Sequence, residues 1–425
     1  MAPIASSPSS STSLSNSRDA QPSSVSETST IYYDQEPFET FQGRALFLAL
    51  STIWANAAAD EVIAVERLHG GGYNRITGLT KRTMGKPETA LQYILRVPRF
   101  QPGQVGNEVA ALRFVLEQTS IPAPSVVAFD ETSLNQLQSP YMIQTRLPGV
   151  PLHQSMADMS YSDRCRIAKD LGAVVGQMLQ VQSSMSGRLT LPSTDRTLVA
   201  PLHVAPWYPV VDPSESQPFR TSAASSSVGK MLTAALLAWK AEELRLRPRG
   251  GLKPDIIDQF IIMARQMEKM GYLGDTPFTL AHLDLAPRNI LINDALDTSK
   301  PIISGILDWD SAVLGPMFMT CDPPSWVWAE WGPEGDEEEK DEDKLEADLQ
   351  PSSAQALELK SLFDATAGPH YRKLAYDQKY SLSRRLMRFV IQGMASNELI
   401  NEARALLRRW KIIWDAKHAE SDSQD

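Results

Sequence analysis

Residues 278–310 restrict the fold more than any other part of the chain. Three apolar runs, at 278–281, 290–293 and 302–307, are each too short for a helix. They are separated by His282-Leu-Asp284-Leu-Ala-Pro-Arg288-Asn289 and by a polar turn at 294–300, and the last run ends on Asp308-Trp309-Asp310. Short apolar runs bounded by turn-forming residues read as strands. The order is strand, loop, strand, turn, strand, acid. It predicts a compact hairpin that brings the acid of the loop and the acid after the last strand to one edge.

The flanking sequence predicts two unlike halves. After a helix at 44–58, residues 62–68 and 74–79 read as strands around Gly70-Gly71-Gly72. A third strand is expected at 90–97, a helix at 106–118 and a strand at 141–147, stopped by Pro148-Gly149. Beyond this joint the pattern turns helical. Ser162 is the expected cap of a helix whose stripe is Ile167, Leu171, Val174, Val175 and Met178. Residues 185–227 are rich in Pro and Ser and read as an irregular connection carrying Trp207 and Tyr208. Helices follow at 228–246, 255–271 and through 352–418. The outline is α+β, with a β-rich region at 31–148, a helical region at 149–420, and a ligand cleft between them.

Composition removes several alternatives. The chain has 425 residues and only two cysteines, Cys165 and Cys321, without a partner motif, so neither a disulfide scaffold nor a zinc site is expected. The net charge of −10 is mostly local, because 334–348 holds ten acids against Lys340 and Lys344. That run reads as a solvated acidic loop, and the near-neutral remainder offers no nucleic-acid surface. No membrane span or signal peptide is expected, which with the free cysteines points to the cytoplasm. The Ser/Thr-rich segment 1–30 is expected to be disordered. No protein partner is evident.

The loop residues suit one chemistry. Phosphoryl transfer needs positioning, charge neutralisation by Mg²⁺, and an acceptor for the proton of the attacking hydroxyl. Asp284 can orient and deprotonate the hydroxyl. Asn289 and Asp308 are hard oxygen donors suited to Mg²⁺. His282 is expected to brace the loop by hydrogen bonding. Asp310 is either a second metal-side acid or a loop anchor.

His-x-Asp-x-x-x-x-Asn, followed after a strand hairpin by an acid, resembles the protein-kinase-like catalytic pattern. With Leu-Asp-Trp-Asp at 307–310, it resembles the aminoglycoside phosphotransferase and choline kinase superfamily, most of all its fungal phosphotransferase members. The resemblance covers roughly 60–335 and implies a two-lobed protein-kinase-like fold using ATP and Mg²⁺ on a small-molecule hydroxyl. It places Gly71, Gly72, Tyr73 and Asn74 in a nucleotide-covering loop. Arg96 stands where kinases carry a lysine, with Glu108 as its ion-pair partner. Gln144, Thr145 and Arg146 fall at the adenine edge, which their backbone amides and carbonyls would meet. The alternative is a nucleotide-binding pseudokinase, motivated by arginine at position 96. Trp326, Trp328 and Trp331 read as packing for the helical region, or else as a stacking wall for the acceptor.

Overall fold

The computed structural model describes residues 36–68, 73–99, 105–191, 203–205, 227–246, 252–274, 277–293, 300–328, 351, 353–394 and 396–422. The expected segment 1–30, the Gly70–Gly72 turn, Trp207, Tyr208, Trp331 and the acidic run 334–348 lie outside these residues.

The N-terminal region is an antiparallel sheet in the order β1-β2-β3-β5-β4. Its strands are β1 (Glu61–Arg67), β2 (Asn74–Thr83), β3 (Lys86–Pro98), β4 (Val126–Asp130) and β5 (Tyr141–Thr145). Helix α1 (Phe38–Thr52) covers one face, packing Phe41, Ala45 and Leu48 on Val65, Leu79, Leu95 and Ile143. It begins six residues before the predicted start and ends before the predicted end. The N–H groups of Ile53 and Trp54 both turn back to Ala49 O at 3.0 Å, freeing Trp54 to pack on Tyr93. The alternation of β3 is as read, with Leu95 and Val97 buried on the α1 face and Arg96 on the other. β4 was not foreseen.

Helix α2 (Val105–Gln118) lies across that other face, and its apolar stripe does not join the α1 cluster. Val109, Leu112 and Val115 belong instead to the large core of the C-terminal region. That core is built from α3 (Tyr161–Gln180), α4 (Val228–Leu246), α5 (Leu252–Lys269), α6 (Ala354–Ala367), α7 (Pro369–Ala375), α8 (Gln378–Gln392) and α9 (Asn397–Asp422). α3 buries the predicted stripe, but its cap is Ser160, not Ser162: the Ser160 hydroxyl accepts the N–H of Asp163. Gly172 of α3 faces α6 so closely that a Cβ there would lie 2.6 Å from Phe363 O.

Two small sheets sit within the helices. One runs β7-β10-β13-β8-β9 through Gln182–Ser183, Phe278–Ala281, Val313–Pro316, Gly187–Thr190 and His203–Ala205. The other is β12-β11-β6, through Ile303–Ile306, Ile290–Ile292 and Val150–Pro151. The predicted three-strand hairpin is therefore divided. β11 and β12 form it, whereas β10 leaves to pair with β13 and β7. The Pro148-Gly149 joint docks on β11–β12: Ser304 Oγ donates to Pro148 O at 2.7 Å, and Gly149 has φ 107°. A Cβ at Gly149 would stand 2.4 Å from Ile292 O, so both backbone conformation and space demand glycine.

Candidate active site

The loop between β10 and β11 is shaped by a buried histidine. His282 Nδ1 accepts the N–H of Asp284 at 3.2 Å, so the proton sits on Nε2, which donates to Leu307 O at 2.9 Å. Burial pushes the His282 pKa below its ordinary value, which suits this neutral tautomer. The ring also packs on the buried indole of Trp309, with centroids 4.6 Å apart. The bracing role expected of His282 is thus visible as two hydrogen bonds and a ring contact.

Asn289 completes the loop. Its Nδ2 donates to the carbonyl of Asp284 at 2.9 Å and to Asp284 Oδ2 at 2.8 Å. Its own carbonyl accepts the N–H of Leu307 at 2.8 Å. The peptide groups around Leu307 are therefore held from both sides by loop residues, immediately before Asp308. Among the described residues only three non-glycine positions have positive φ, and Leu283 and Asp308 are two of them, both at 65°. Such conformations cost roughly 1–3 kcal/mol each and persist where the surroundings impose them. Here they turn the chain at both acids.

From β3, Arg96 Nη2 reaches Asp308 Oδ1 at 2.7 Å and Glu108 Oε1 at 3.2 Å. The expected Arg96–Glu108 pair is present, and the bridge to Asp308 is additional. Arg96 is only 8% exposed. Burial disfavours its charge, but Glu108 and Asp308 more than offset this and hold the guanidinium firmly charged. Burial pushes the Glu108 carboxyl up to about 7, with Arg96 opposing and Asp310 and Asp308 adding to the rise. Asp310 is raised by burial and then by Asp308, and Ser311 Oγ donates to its Oδ1 at 3.0 Å. Of the three carboxyls around the Arg96 guanidinium, Glu108 and Asp308 pair with it and Asp310 lies within its field. The oxygen donors of Asp308 and Asn289 suit a hard divalent cation. Among the described residues no three His, Cys, Asp or Glu side chains cluster as a metal cage.

The base-edge residues are placed less simply. Gln144 is buried on the Arg96 face of the sheet, and its Oε1 has no hydrogen-bond partner. The backbone amides expected to meet adenine at 145 and 146 are occupied, donating to Ser125 O at 2.9 Å and Gln92 O at 3.1 Å. Packing of the sheet thus engages both amides. Arg146 forms an ion pair with Glu66 of β1, whose side chain lies across Gly78. Tyr73 is 78% exposed and Asn74 opens β2; Gly71 and Gly72 lie outside the described residues.

Sequence reading missed Arg288, whose Nη2 pairs with Asp284 Oδ1 at 2.5 Å. Their four-residue spacing was the available signal. It also missed Arg188 of β8, whose pKa is lowered by burial while the charge of Asp310 opposes. Trp328 is buried and meets Phe363, and Trp326 packs against the core, so both serve as packing.

This combination of a β-sheet N-terminal region, a helical C-terminal region and a His-Asp-Asn loop facing a sheet arginine defines a two-lobed, kinase-like α+β protein. The chain belongs to the phosphotransferase enzyme family, whose sequence model matches residues 67–342. No curated protein matches it. Among solved structures it is similar to the GDP and kanamycin complex of APH(2")-IIia, at 14% identity and TM-score 0.44, covering 87% of this chain and 98% of that one. It is also similar to the streptomycin-ATP-APH(2")-IIa ternary complex, at 11% identity and TM-score 0.41, covering 81% and 91%. The macrolide 2'-phosphotransferase MphH of Brachybacterium faecium is similar at 14% identity and TM-score 0.39, covering 81% and 92%. The family assignment rests on the sequence match, not on these likenesses. No helix among the described residues is long and apolar enough to cross a membrane.

Proposed function

We propose that this protein transfers the γ-phosphoryl group of ATP to a hydroxyl of a small molecule. The observation that carries the reading is the convergence of Asp284, Asn289, Asp308 and Arg96. Asn289 and His282 bind the loop acid to the chain entering Asp308, and Arg96 of β3 pairs with Asp308 at 2.7 Å.

In this reading residues 31–148 form the nucleotide lobe and 149–420 the catalytic lobe. Asp284 accepts the proton of the acceptor hydroxyl, with its carboxylate aimed by Asn289. Asn289 and Asp308 would hold Mg²⁺, with Asp310 as a further acid in the field of Asp308. The ion, when bound, supplies charge neutralisation at the phosphates. Arg96 is fixed by Glu108 and offers its fork to phosphate oxygens. Gln144 Oε1, buried without a donor, suits an exocyclic amino group of the base. Arg288 keeps Asp284 paired in the absence of acceptor and is placed to counter charge at the transferring group.

The test is ADP release with Mg-ATP across a panel of alcohols, amino alcohols and sugars, run beside Asp284→Asn. Turnover with at least one acceptor, abolished in the variant while nucleotide binding remains, supports the reading. Nucleotide binding without turnover on any acceptor would overturn it in favour of a pseudokinase.

A further inference from the structure

The two carboxylate oxygens of Asp284 keep different company. Oδ2 accepts the Nδ2 of Asn289, a proposed Mg²⁺ ligand, at 2.8 Å. Oδ1 accepts Nη2 of Arg288 at 2.5 Å. The oxygen turned away from Asn289, and so left to meet an acceptor hydroxyl, is the one that already carries a guanidinium. Two donors on one carboxylate oxygen lie roughly 4–5 Å apart. A substituent close to the phosphorylated carbon is thereby brought beside Arg288.

Fold stability does not account for this arginine. Arg288 belongs to the short turn Pro287–Asn289, its side chain is 61% exposed, and Asp284 is its one partner among the described residues. An ion pair so exposed adds little to stability. The rest of its fork is left to bind a carboxylate, whose two oxygens match a guanidinium edge. An anionic group on the acceptor gives Arg288 a second partner and draws it from Oδ1, freeing that oxygen for the hydroxyl. An uncharged acceptor has to compete with the guanidinium, and a cationic one meets like charge at the same place. The surrounding charges point the same way. Arg96 answers Glu108 and Asp308, and Arg188 lies in the field of Asp310. Each described acid of the site thus has a guanidinium near it, and no unanswered carboxylate is left to draw a cation.

We propose, resting on the kinase reading, that the acceptor is a hydroxy acid whose carboxylate lies within a few carbons of the phosphorylated hydroxyl, and that Arg288 selects it. The hydroxyl oxygen bonds to the γ-phosphorus and the bond from that phosphorus to the bridging oxygen breaks. ADP leaves with the electron pair, the hydroxyl proton passes to Asp284 Oδ1, and the acceptor carboxylate is unchanged.

Acceptors of one carbon skeleton test this: glycerate, glyceramide and 3-amino-1,2-propanediol, then gluconate, gluconamide and glucamine. ADP release by the full chain with Mg-ATP gives kcat/KM for each, and titration of the Mg-ADP-loaded chain gives binding. In each series the acid is preferred to its amide by about tenfold or more, as expected for a charged hydrogen bond, and the amine is poorest. Arg288→Gln cuts the acid-to-amide ratio by about tenfold, Arg288→Lys keeps part of it, and melting temperatures check that both variants fold. Equal loss on acid, amide and amine in Arg288→Gln assigns Arg288 to the transferring group alone and overturns the inference. A preference for amide or amine, or no saturable binding of either acid, overturns it as well. Turnover of uncharged or cationic acceptors without preference for acids ends this inference and leaves the kinase reading standing. Arg288-dependent binding of the acids without turnover of any acceptor supports the site and ends the kinase reading.

Discussion

Arg96 and Asp308 lie 212 residues apart in sequence and meet at 2.7 Å, so the sheet arginine closes directly on the acid that follows β12. The same guanidinium holds Glu108. Removing it leaves the buried Glu108 carboxyl without its counter-charge, which in comparable cases costs roughly 3–5 kcal/mol. Arg96→Ala is therefore expected to be strongly destabilised in urea unfolding. Arg96→Ala with Glu108→Gln should recover part of that loss, and a double-mutant cycle measures the coupling. Additive effects of the two substitutions would show that the pair contributes nothing to stability.

The loop carboxylate makes a kinetic prediction. Asp284→Asn keeps the side-chain volume and one oxygen but loses the base, so kcat should drop by roughly 10²–10⁴. Nucleotide KM and thermal stability should stay close to wild type. Asn289→Ala removes the tether on Asp284 and a metal-side oxygen together, so it should lower kcat and raise the Mg²⁺ concentration needed for half-maximal rate. Steady-state assays at varied Mg²⁺ separate the two substitutions.

His282 sets a pH dependence. Burial lowers its folded pKa below the unfolded value of about 6.5, so the unfolded state binds the extra proton first as pH falls. The contribution of His282 is fully present above that value and is lost as pH drops through the folded pKa. Melting temperature should fall from pH 7.5 to pH 5 more steeply in wild type than in His282→Gln, which cannot titrate. Parallel curves would exclude His282 as the source.

At the joint, Gly149→Ala meets two obstacles, a φ of 107° and a Cβ position 2.4 Å from Ile292 O. The cost should be at least about 1–3 kcal/mol from backbone conformation alone. Gly85 has φ 75° with open space around it, so Gly85→Ala isolates the backbone component. Chemical denaturation of both variants gives the steric component by difference.

The loop proposed as the catalytic centre was legible because its members are close in sequence. His282, Asp284 and Asn289 fall within one loop, and Asp308 follows a two-strand hairpin. The Arg96–Glu108 pair was legible through the resemblance to a family that pairs a cation on the third strand with an acid on the next helix. What escaped depends on distant partners. β4 is a five-residue strand whose register is set by β5, and β10 pairs across the loop with β13 because its buried face requires that sheet. The competition for the amides of Thr145 and Arg146 exists only once Ser125 and Gln92 are in place. Nothing in the linear order of residues announces these pairings.

Helix α2 is encoded before the Pro148-Gly149 joint, yet its apolar stripe fills the core that lies after it. Cutting the chain at 148 would therefore not yield two self-sufficient pieces. The N-terminal fragment would carry an uncovered stripe of Val109, Leu112 and Val115, and the C-terminal fragment a matching gap. Expressed separately, both should aggregate; expressed together, they should reassemble into a folded heterodimer, the behaviour of a split reporter and not of a two-domain linker.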